Sequence, residues 1–278
     1  MMKHEKMHDE IYEFYNDGAE IGRLERRLGK IEFYRSKEIL SRYIDGQNVI
    51  YDVGGGIGMY AAWLAEQGNQ VHLLELADRA VAYAREHFVQ TYGFTAETAD
   101  ARQLPREDAT ADVVLLMGPL YHLQKREDRD MALGEARRVL KPGGLLVAAG
   151  ISKYSTATWA LSTYSDGNDY LDDDVFLNML KEEISTGNHN RPESYCRLIA
   201  EAYFTTAQDM AAEIEAAGFS VEGKHAVEGC IWFTPNLDEN WERPDCRERL
   251  LELVHLTEQD IEMMGMSPHF LIAARKKA

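Results

Sequence analysis

Three glycines in one short turn are the residues of this sequence best able to bring a ligand close to the main chain. Gly54, Gly56 and Gly58 follow a β-branched and aromatic run, Val49 to Val53, and precede a helix-compatible stretch from Met59 to Gln67. Glycine allows positive φ and a close approach of the backbone, while the first amides of a helix point outward without partners. The stretch therefore predicts a strand–turn–helix site for a nucleotide-like ligand.

Residues that could bind or react also stand at the ends of three further predicted strands. They are Glu75 at the end of Gln70 to Glu75, Asp100 and Ala101 after the strand Phe94 to Thr98, and Met117, Tyr121 and His122 at and after the end of Asp112 to Met117. An acid that ends the second strand of such a unit can accept both hydroxyls of a ribose. The same edge of the sheet is therefore predicted to collect these side chains.

Strands and helices that alternate along residues 49–151 must position these groups. Such alternation predicts a mostly parallel sheet with helices on both faces, and Pro142-Gly-Gly144 ends the last helix of the series and turns into the fifth strand. Two more strands follow, Phe219 to Val227 and His269 to Arg275. The predicted fold class is α/β, a doubly wound, mostly parallel seven-stranded Rossmann-like sheet with helical N-terminal and inserted cap segments.

The flanking segments interrupt this alternation and define the predicted domain organisation. We expect an N-terminal helical cap over residues 1–45, the ligand-binding core over 46–151, and an inserted lid over 152–207. The end of the core follows over 208–278, with a helical insertion at about 229–266. Because a long excursion from a compact domain is usually functional or disordered, and the 152–207 segment is rich in aromatic residues, we interpret it as a lid with helices near 175–184 and 193–202.

Four motifs in this order resemble the class I S-adenosylmethionine-dependent methyltransferases, in particular the small-molecule type of ubiquinone/menaquinone biosynthesis. The motifs are Asp52-Val-Gly-Gly-Gly-Ile-Gly58, Glu75, Asp100-Ala-Arg-Gln-Leu-Pro105 and Glu135-Ala-Arg-Arg-Val-Leu-Lys-Pro-Gly-Gly144. The resemblance covers residues 48–151 densely and the remainder thinly. It implies that S-adenosyl-L-methionine is the cofactor and that the last strand inserts antiparallel beside the sixth.

The resemblance also implies a role for each cofactor-binding residue. Gly54, Gly56 and Gly58 would lie under the methionine and ribose, and Asp52 would reach the methionine amino group directly or through water. Glu75 would hold the ribose hydroxyls. Asp100 and the Ala101 amide would contact the adenine, and Leu76 and Leu104 would be either its apolar walls or core residues. Met117, at the end of the fourth strand, is a further predicted contact. At the methionine end, the leading helices would contribute Tyr12, Tyr15 and Arg35.

Tyr121 and His122 stand where the transferred methyl group should emerge, and they are the predicted catalytic residues. Methyl transfer from a sulfonium is an in-line displacement, so the protein must align the two reactants and exclude water, and it needs no metal. Imidazole titrates near neutral pH, so His122 is either a general base or a structural histidine bonded to backbone. His189 is the other histidine that we place near the acceptor.

Composition restricts the partners of the protein. A net charge of −17 over 278 residues opposes nucleic-acid binding, which depends on clustered Lys and Arg. No run approaches eighteen apolar residues, and the first ten residues lack the apolar core of a signal peptide, so we expect a cytoplasmic protein without membrane contact. Its three separated cysteines are interpreted as free thiols. The expected partner is a small-molecule methyl acceptor, and the expected state is a monomer or homodimer.

Other functions remain open on the sequence alone. A nicotinamide-dependent oxidoreductase would carry G-x-G-x-x-G, but Met59 stands at the position of its third glycine, although Tyr121 and Lys125 match a Tyr-x-x-x-Lys spacing. A nucleic-acid or protein methyltransferase could use the same fold, yet Gly118-Pro-Leu-Tyr121 lacks the amide or acid acceptor of amine-modifying enzymes. A non-catalytic cofactor-binding protein is the third alternative.

Overall fold

A seven-stranded sheet forms the centre of the molecule in the computed structural model, which describes residues 21–164, 169–195 and 198–277. The strands are β1 Val49–Val53, β2 Gln70–Glu75, β3 Thr95–Thr98, β4 Ala111–Leu116, β5 Leu140–Ile151, β6 Asn188–Asn190, β7 Glu201–Tyr203, β8 Phe219–Ala226 and β9 His269–Lys276. The order in the main sheet is β3-β2-β1-β4-β5-β9-β8, and β6 and β7 pair separately.

Helices cover both faces of this sheet and build the segments that flank it. They are α1 Leu28–Leu40, α2 Met59–Glu66, α3 Asp78–Ala84, α4 Pro119–His122, α5 Arg126–Val139, α6 Ser155–Ser162, α7 Asp174–Thr186, α8 Ala207–Ala216, α9 Leu237–Glu242, α10 Pro244–Thr257 and α11 Ile261–Met264. Among the described residues, no helix combines the length and the apolar character needed to cross a membrane.

The pairing of the strands confirms the predicted fold class. Strands β1 to β5 run parallel, and β9 lies antiparallel between β5 and β8. Their apolar side chains are almost fully buried, as expected for a sheet covered on both faces. In the register of β5 with β9, His269 is opposite Ile151, so the start of β9 lies at the carboxyl edge of the parallel strands.

Several predicted elements end differently in the structure. The helix predicted near 193–202 is wrong, because a 3-10 turn, Glu193–Tyr195, is followed by β7, which pairs with β6. The helical insertion predicted at about 229–266 contains three separate helices, α9, α10 and α11. The chain leaves α10 at Glu258, and the Asp260 side chain accepts a hydrogen bond from the Glu262 amide, which starts α11.

The N-terminal helix α1 packs against the helical insertion at about 229–266 through a buried ion-pair cluster. Arg35 is fully buried, pairs with Glu38 and Glu258, and donates from Nε to the Val227 carbonyl at 3.1 Å. Arg42 also pairs with Glu258. An apolar cluster containing Ile31, Ile231, Trp241 and Val254 lies in the same interface. Helix α1 and α10 therefore form one packed unit over the sheet.

Residues 152–207, the segment predicted to be a lid and called here the first excursion, have their own small core and are attached to the loop after β4. Phe176, Met179 and Leu180 of α7 pack with Ala160 of α6. The Gln124 side-chain amide donates to the His189 and Ala202 carbonyls at 3.2 and 3.1 Å, respectively. This segment is therefore fixed directly behind α4, which carries the predicted catalytic residues.

Candidate active site

A cavity opens where the loops after β1, β2, β3 and β4 meet at the carboxyl edge of the sheet. Its wall contains predicted cofactor-binding and catalytic residues, namely Gly54, Gly56, Glu75, Leu76, Asp100, Ala101, Met117, Tyr121 and His122. The crevice beside the carboxyl ends of strands is where open α/β sheets bind ligands. The topology therefore brings together predicted residues that are as far as 68 positions apart in the chain, from Gly54 to His122.

Two glycines allow the loops after β1 and β4 to touch. Gly54 has a φ of 68°, and a Cβ atom there would come within 2.5 Å of the Pro119 ring. A Cβ atom on Gly118 would come within 2.8 Å of the Gly54 carbonyl oxygen. A side chain at either position would force these loops apart, so the close approach needs glycine. Gly118 and Pro119 were not predicted from the sequence, and both line the cavity.

Asp52 lies under the glycine turn and is completely buried. Neither of its carboxylate oxygens meets hydrogen-bond geometry with a described residue. Burial, with the charge of nearby Glu75, raises the pKa of Asp52 to about 7. A buried acid left unsatisfied in this way fits a cationic group of a bound ligand, such as the methionine ammonium of the cofactor.

Glu75 connects the second strand to the glycine turn. One carboxylate oxygen accepts from the Gly56 amide and the other from the Ala77 amide, each at 2.9 Å. These two bonds fix the orientation of the carboxylate, a group that can accept about four hydrogen bonds, including those of ribose hydroxyls. Its place in the cavity wall fits the predicted role.

Asp100 and Ala101 line the opposite part of the wall, near the end of β3. The Asp100 carboxylate accepts from the Arg102 backbone amide at 2.9 Å and pairs with the Arg102 guanidinium at 2.7 Å. Arg102 also pairs with Asp128 on α5 at 3.1 Å. These contacts hold the Asp100–Ala101 turn in one position against the cavity, as an adenine-binding turn requires.

Tyr121 and His122 form the wall next to the first excursion. The Tyr121 hydroxyl donates to the Met117 carbonyl at 3.1 Å, and the two rings lie 4.7 Å apart. Burial lowers the pKa of His122 to about 4, although a hydrogen bond with the Glu201 backbone opposes this. This direction opposes a near-neutral general base and favours the uncharged imidazole of His122 at pH 7.

Several predicted site residues lie elsewhere. Arg35 does not line the cavity, because Glu38, Glu258 and the Val227 carbonyl engage its guanidinium in the interface of α1. Gly58 also stays behind the wall, where its φ of 88° starts α2 against Phe94, and so does the fully buried Asp52. Two further predicted residues do not line the cavity. Leu104 belongs to the hydrophobic core, and His189 is buried and bonded to Glu183. Tyr12 and Tyr15 fall outside the described residues.

Arg23 and Tyr60 line the cavity without having been predicted. The Arg23 guanidinium pairs with both oxygens of Glu32 at 2.6 and 3.1 Å. Burial and the charge of Glu32 raise the pKa of Tyr60 well above its usual value, so its hydroxyl stays neutral. No sequence motif marks Arg23, which reaches the cavity because the turn Arg23–Glu25 precedes α1.

Comparisons with known proteins agree with this geometry. Residues 51–148 match the model of the methyltransferase domain family. The chain is 28% identical over 211 residues to the ubiquinone/menaquinone biosynthesis C-methyltransferase UbiE of Rubrivivax gelatinosus, covering 75% of this chain and 74% of that protein. It is 35% identical over 127 residues to a ubiquinone biosynthesis O-methyltransferase of Paramagnetospirillum magneticum, covering 45% of this chain and 48% of that protein.

A solved structure from Methanosarcina mazei, described as a S-adenosylmethionine-dependent methyltransferase, shares the fold. The match has a TM-score of 0.58 and 19% identity, and it covers 86% of this chain and 97% of the other. The chain therefore has the Rossmann-like fold of that structure. Residues 51–148 are a methyltransferase domain, and the chain is similar to UbiE over three quarters of its length, so S-adenosyl-L-methionine is its cofactor.

Proposed function

We propose that this enzyme transfers the methyl group of S-adenosylmethionine to a small organic acceptor. The observation that carries the proposal is the enclosure of the cavity beside Tyr121 and His122. His122 is hydrogen-bonded to the backbone of Glu201 in the first excursion, and Arg23 and Tyr60 bound the cavity from the N-terminal side. A space bounded by several elements suits a small acceptor better than a nucleic-acid strand or a folded protein.

In this proposal, one group of residues binds the cofactor and a second group positions the acceptor. Glu75 accepts the ribose hydroxyls, Asp100 and the Ala101 amide hold the adenine, and Asp52 attracts the methionine ammonium. Arg23 takes the place of Arg35 as the donor to the cofactor's carboxylate, because an arginine fork matches a carboxylate. The sulfonium supplies an activated methyl group. Tyr121 and neutral His122 then position the acceptor in line with it and exclude water.

The names of the relatives support a small acceptor without fixing the atom that receives the methyl group. UbiE is named a C-methyltransferase, and the Paramagnetospirillum magneticum protein an O-methyltransferase. The charge of −17 also disfavours a nucleic acid as substrate. A cytoplasmic location and a monomeric or dimeric state stay predictions.

The test is a labelling experiment with fractionated cell extract. The enzyme is incubated with S-adenosylmethionine carrying an isotopically labelled methyl group, and with separate small-molecule, protein and nucleic-acid fractions. We expect the label in the small-molecule fraction alone, measured by mass spectrometry. Label incorporated only into protein or nucleic acid would reject the proposed acceptor class.

A second measurement tests the cofactor assignments with S-adenosylhomocysteine as the calorimetric ligand. Glu75→Ala should weaken binding by roughly 1–3 kcal/mol, because hydroxyls would lose a charged acceptor in a buried site. Arg23→Ala should also weaken binding. The matched control is Arg26→Ala, since Arg26 lies in the same segment and donates a solvent-exposed hydrogen bond of 3.4 Å to the Ile21 carbonyl. Equal affinities for the Arg23 and Arg26 variants would remove Arg23 from the site.

A further inference from the structure

A buried arginine lies behind the loop that carries Tyr121 and His122, outside the residues that line the cofactor cavity. Arg129 belongs to α5, and its side chain keeps only 5% of its surface accessible. Its Nε and Nη2 donate to the two carboxylate oxygens of Glu213 in α8, each at 2.8 Å. Two parallel bonds from one guanidinium to one carboxylate fix the plane of the arginine fork. Glu213 therefore sets the orientation of Arg129.

The remaining edge of this guanidinium holds the chain just after His122. Nη1 of Arg129 donates to the carbonyl of Leu123 at 2.9 Å and to the carbonyl of Gln124 at 2.8 Å. Helix α4 ends at His122, and the backbone of Leu123 is already extended. Because the last carbonyls of a helix have no partners within it, such a short helix does not fix the chain that leaves it. Arg129 supplies the donors that do so.

The flat face of the same guanidinium contacts the first excursion. Its central carbon lies 3.6 Å from the centre of the Tyr203 ring, which is a close cation–π contact. Tyr203 ends β7, and β7 begins with Glu201, whose backbone is hydrogen-bonded to His122. One arginine side chain therefore contacts both the segment that carries His122 and the strand that bonds its ring.

The packing of Tyr121 depends on the same arginine. Arg129, Glu213, Tyr203 and Tyr121 line a second, smaller cavity, and Tyr121 also belongs to the wall of the cofactor cavity. The Tyr121 ring thus borders both spaces. Because protein interiors are closely packed, a side chain at position 129 that fills less of the second cavity would allow α4 to move.

A lysine could not replace Arg129 in these contacts. A guanidinium has five N–H donors in a rigid planar fork, whereas an ammonium has three donors and no flat face. Arg126, one turn earlier in α5, offers a comparison. Its Nη1 lies 3.4 Å from the same Glu213 carboxylate, but its side chain is 46% exposed and also pairs with Asp130. Charge near Glu213 is therefore common to both arginines, and the buried fork belongs to Arg129.

We propose that Arg129 is a positioning residue for methyl transfer, which acts by holding Tyr121 and His122 against β7. The inference rests on the proposed function, because it takes these two side chains as the ones that align the acceptor. Arg129 does not line the cofactor cavity, and no bond forms or breaks on it. Loss of its contacts should therefore slow the transfer step and leave cofactor binding intact.

The first test observes His122 directly, without an acceptor. The full-length enzyme is labelled with ¹⁵N-histidine and saturated with S-adenosylhomocysteine, and the ring signals of His122 are assigned by their absence from His122→Asn. The two ring nitrogens report which of them carries the proton. We expect one tautomer in wild type, fixed by the bond to the Glu201 backbone. Arg129→Lys should move these signals towards the average of the two tautomers, with unchanged affinity for S-adenosylhomocysteine in calorimetry.

The second test measures the rate of transfer. The small-molecule fraction of cell extract serves as acceptor, and the concentration of methyl-labelled S-adenosylmethionine is varied. For Arg129→Lys we expect the maximal rate to fall by roughly tenfold to a hundredfold, because a small displacement of positioning groups is costly in an in-line reaction. The KM for S-adenosylmethionine should stay at the wild-type value.

The matched control for both tests is Arg126→Lys, which should behave as wild type. A merely structural role for Arg129 would reduce the amount of folded enzyme, but the folded fraction would keep its His122 signals. Glu213→Gln takes the place of Arg129→Lys if that variant does not bind S-adenosylhomocysteine. It preserves the side-chain volume and replaces one acceptor of the fork by a donor.

Altered His122 signals together with a lower maximal rate and an unchanged KM would support the proposal. Unchanged His122 signals, an unchanged maximal rate, or equal effects of Arg126→Lys would overturn it, as would rapid exchange between tautomers in wild type. If wild type labels only protein or nucleic acid, the proposed acceptor class fails, and the rates of the variants are then measured on the fraction that is labelled. Failure of the proposed function and failure of the role of Arg129 are thus read separately.

Discussion

At the scale of single residues, burial changes the chemistry that the sequence suggests. His122 looks like a base with an ordinary pKa, but its surroundings lower that pKa to about 4. Asp52 looks like an ordinary carboxylate, but burial raises its pKa to about 7. Both shifts favour the uncharged form of the side chain, as desolvation does. The acid is therefore the group in this site that changes charge near neutral pH.

Cofactor affinity should consequently depend on the ionisation of Asp52. If the ionised carboxylate attracts the methionine ammonium, S-adenosylhomocysteine should bind wild type roughly tenfold more weakly at pH 6 than at pH 8, since binding must first remove a proton whose pKa is about 7. Calorimetry in buffers of different ionisation enthalpy measures both the affinity and the proton released.

Asp52→Asn is the matched variant for this measurement. This variant should bind S-adenosylhomocysteine more weakly than wild type does, and its affinity should change little between pH 6 and pH 8. Constant wild-type affinity from pH 6 to pH 8, with no proton released, would show that Asp52 does not respond to the ligand.

At the scale of secondary-structure elements, the buried ion pairs of Arg35 hold helix α1 against the end of helix α10. Arg35 and Arg42 of α1 both bind Glu258, which follows α10. These contacts lower the pKa of Glu258, so their contribution to stability is present above its ordinary pKa of 4.5 and is lost as the pH falls below that value. A buried charge that loses its partner destabilises a protein far more than a solvent-exposed pair does.

Replacement of Glu258 should therefore reduce stability without weakening the cofactor. For Glu258→Gln we expect a loss of about 3–5 kcal/mol in the free energy of unfolding, because the buried Arg35 loses a charged partner. Urea denaturation measures this value, and calorimetry with S-adenosylhomocysteine should give wild-type affinity.

Glu242→Gln supplies the control at the same interface. Glu242 of α9 pairs with Lys30 of α1 at 2.6 Å, but both side chains are exposed, at 62% and 44% respectively. We expect no measurable change in stability for this variant. Equal effects of the two substitutions would contradict a special role for the buried cluster.

At the scale of the whole molecule, stability should decline from weakly acidic to alkaline pH in the cofactor-free enzyme. Asp52 has a raised pKa, so its native state holds a proton that the unfolded state releases between about pH 4 and pH 7. His269 has a raised pKa of about 9, so its contribution is complete below its ordinary pKa of 6.5 and is lost as the pH rises through 9. The net charge of −17 adds repulsion in the same direction.

Urea denaturation at pH 5.5, 7 and 9 measures this trend. Wild type should lose several kcal/mol between pH 5.5 and pH 9, since each unit of pKa shift corresponds to about 1.4 kcal/mol. The loss should be smaller below pH 6.5, where His122, with a pKa lowered to about 4, opposes the effect of Asp52. Asp52→Asn should flatten the decline below pH 7, and His269→Asn the decline above it. A stability maximum at pH 8 to 9 would show that these two groups do not govern the pH dependence.

The local pattern of the sequence determined the core sheet and much of the cofactor cavity. Apolar runs that end in glycine or acid specify strands followed by turns, and parallel strands necessarily bring their carboxyl ends to one edge. For that reason Gly54, Glu75, Asp100 and Met117 could be assigned to one cavity before their distances were known. The strand predicted as Phe94 to Thr98 is one residue shorter in the structure, Thr95–Thr98.

Only the tertiary structure decided which distant charges reach that edge. Arg23 and Arg35 are similar residues twelve positions apart, yet Arg23 enters the cavity and Arg35 is enclosed by Glu38 and Glu258. His269 and Glu228 become partners across 41 positions because β9 lies beside β8. Pairings of this kind, like the burial that sets the pKa of His122, depend on the packing of separate segments. The spacing of residues along one chain does not encode them.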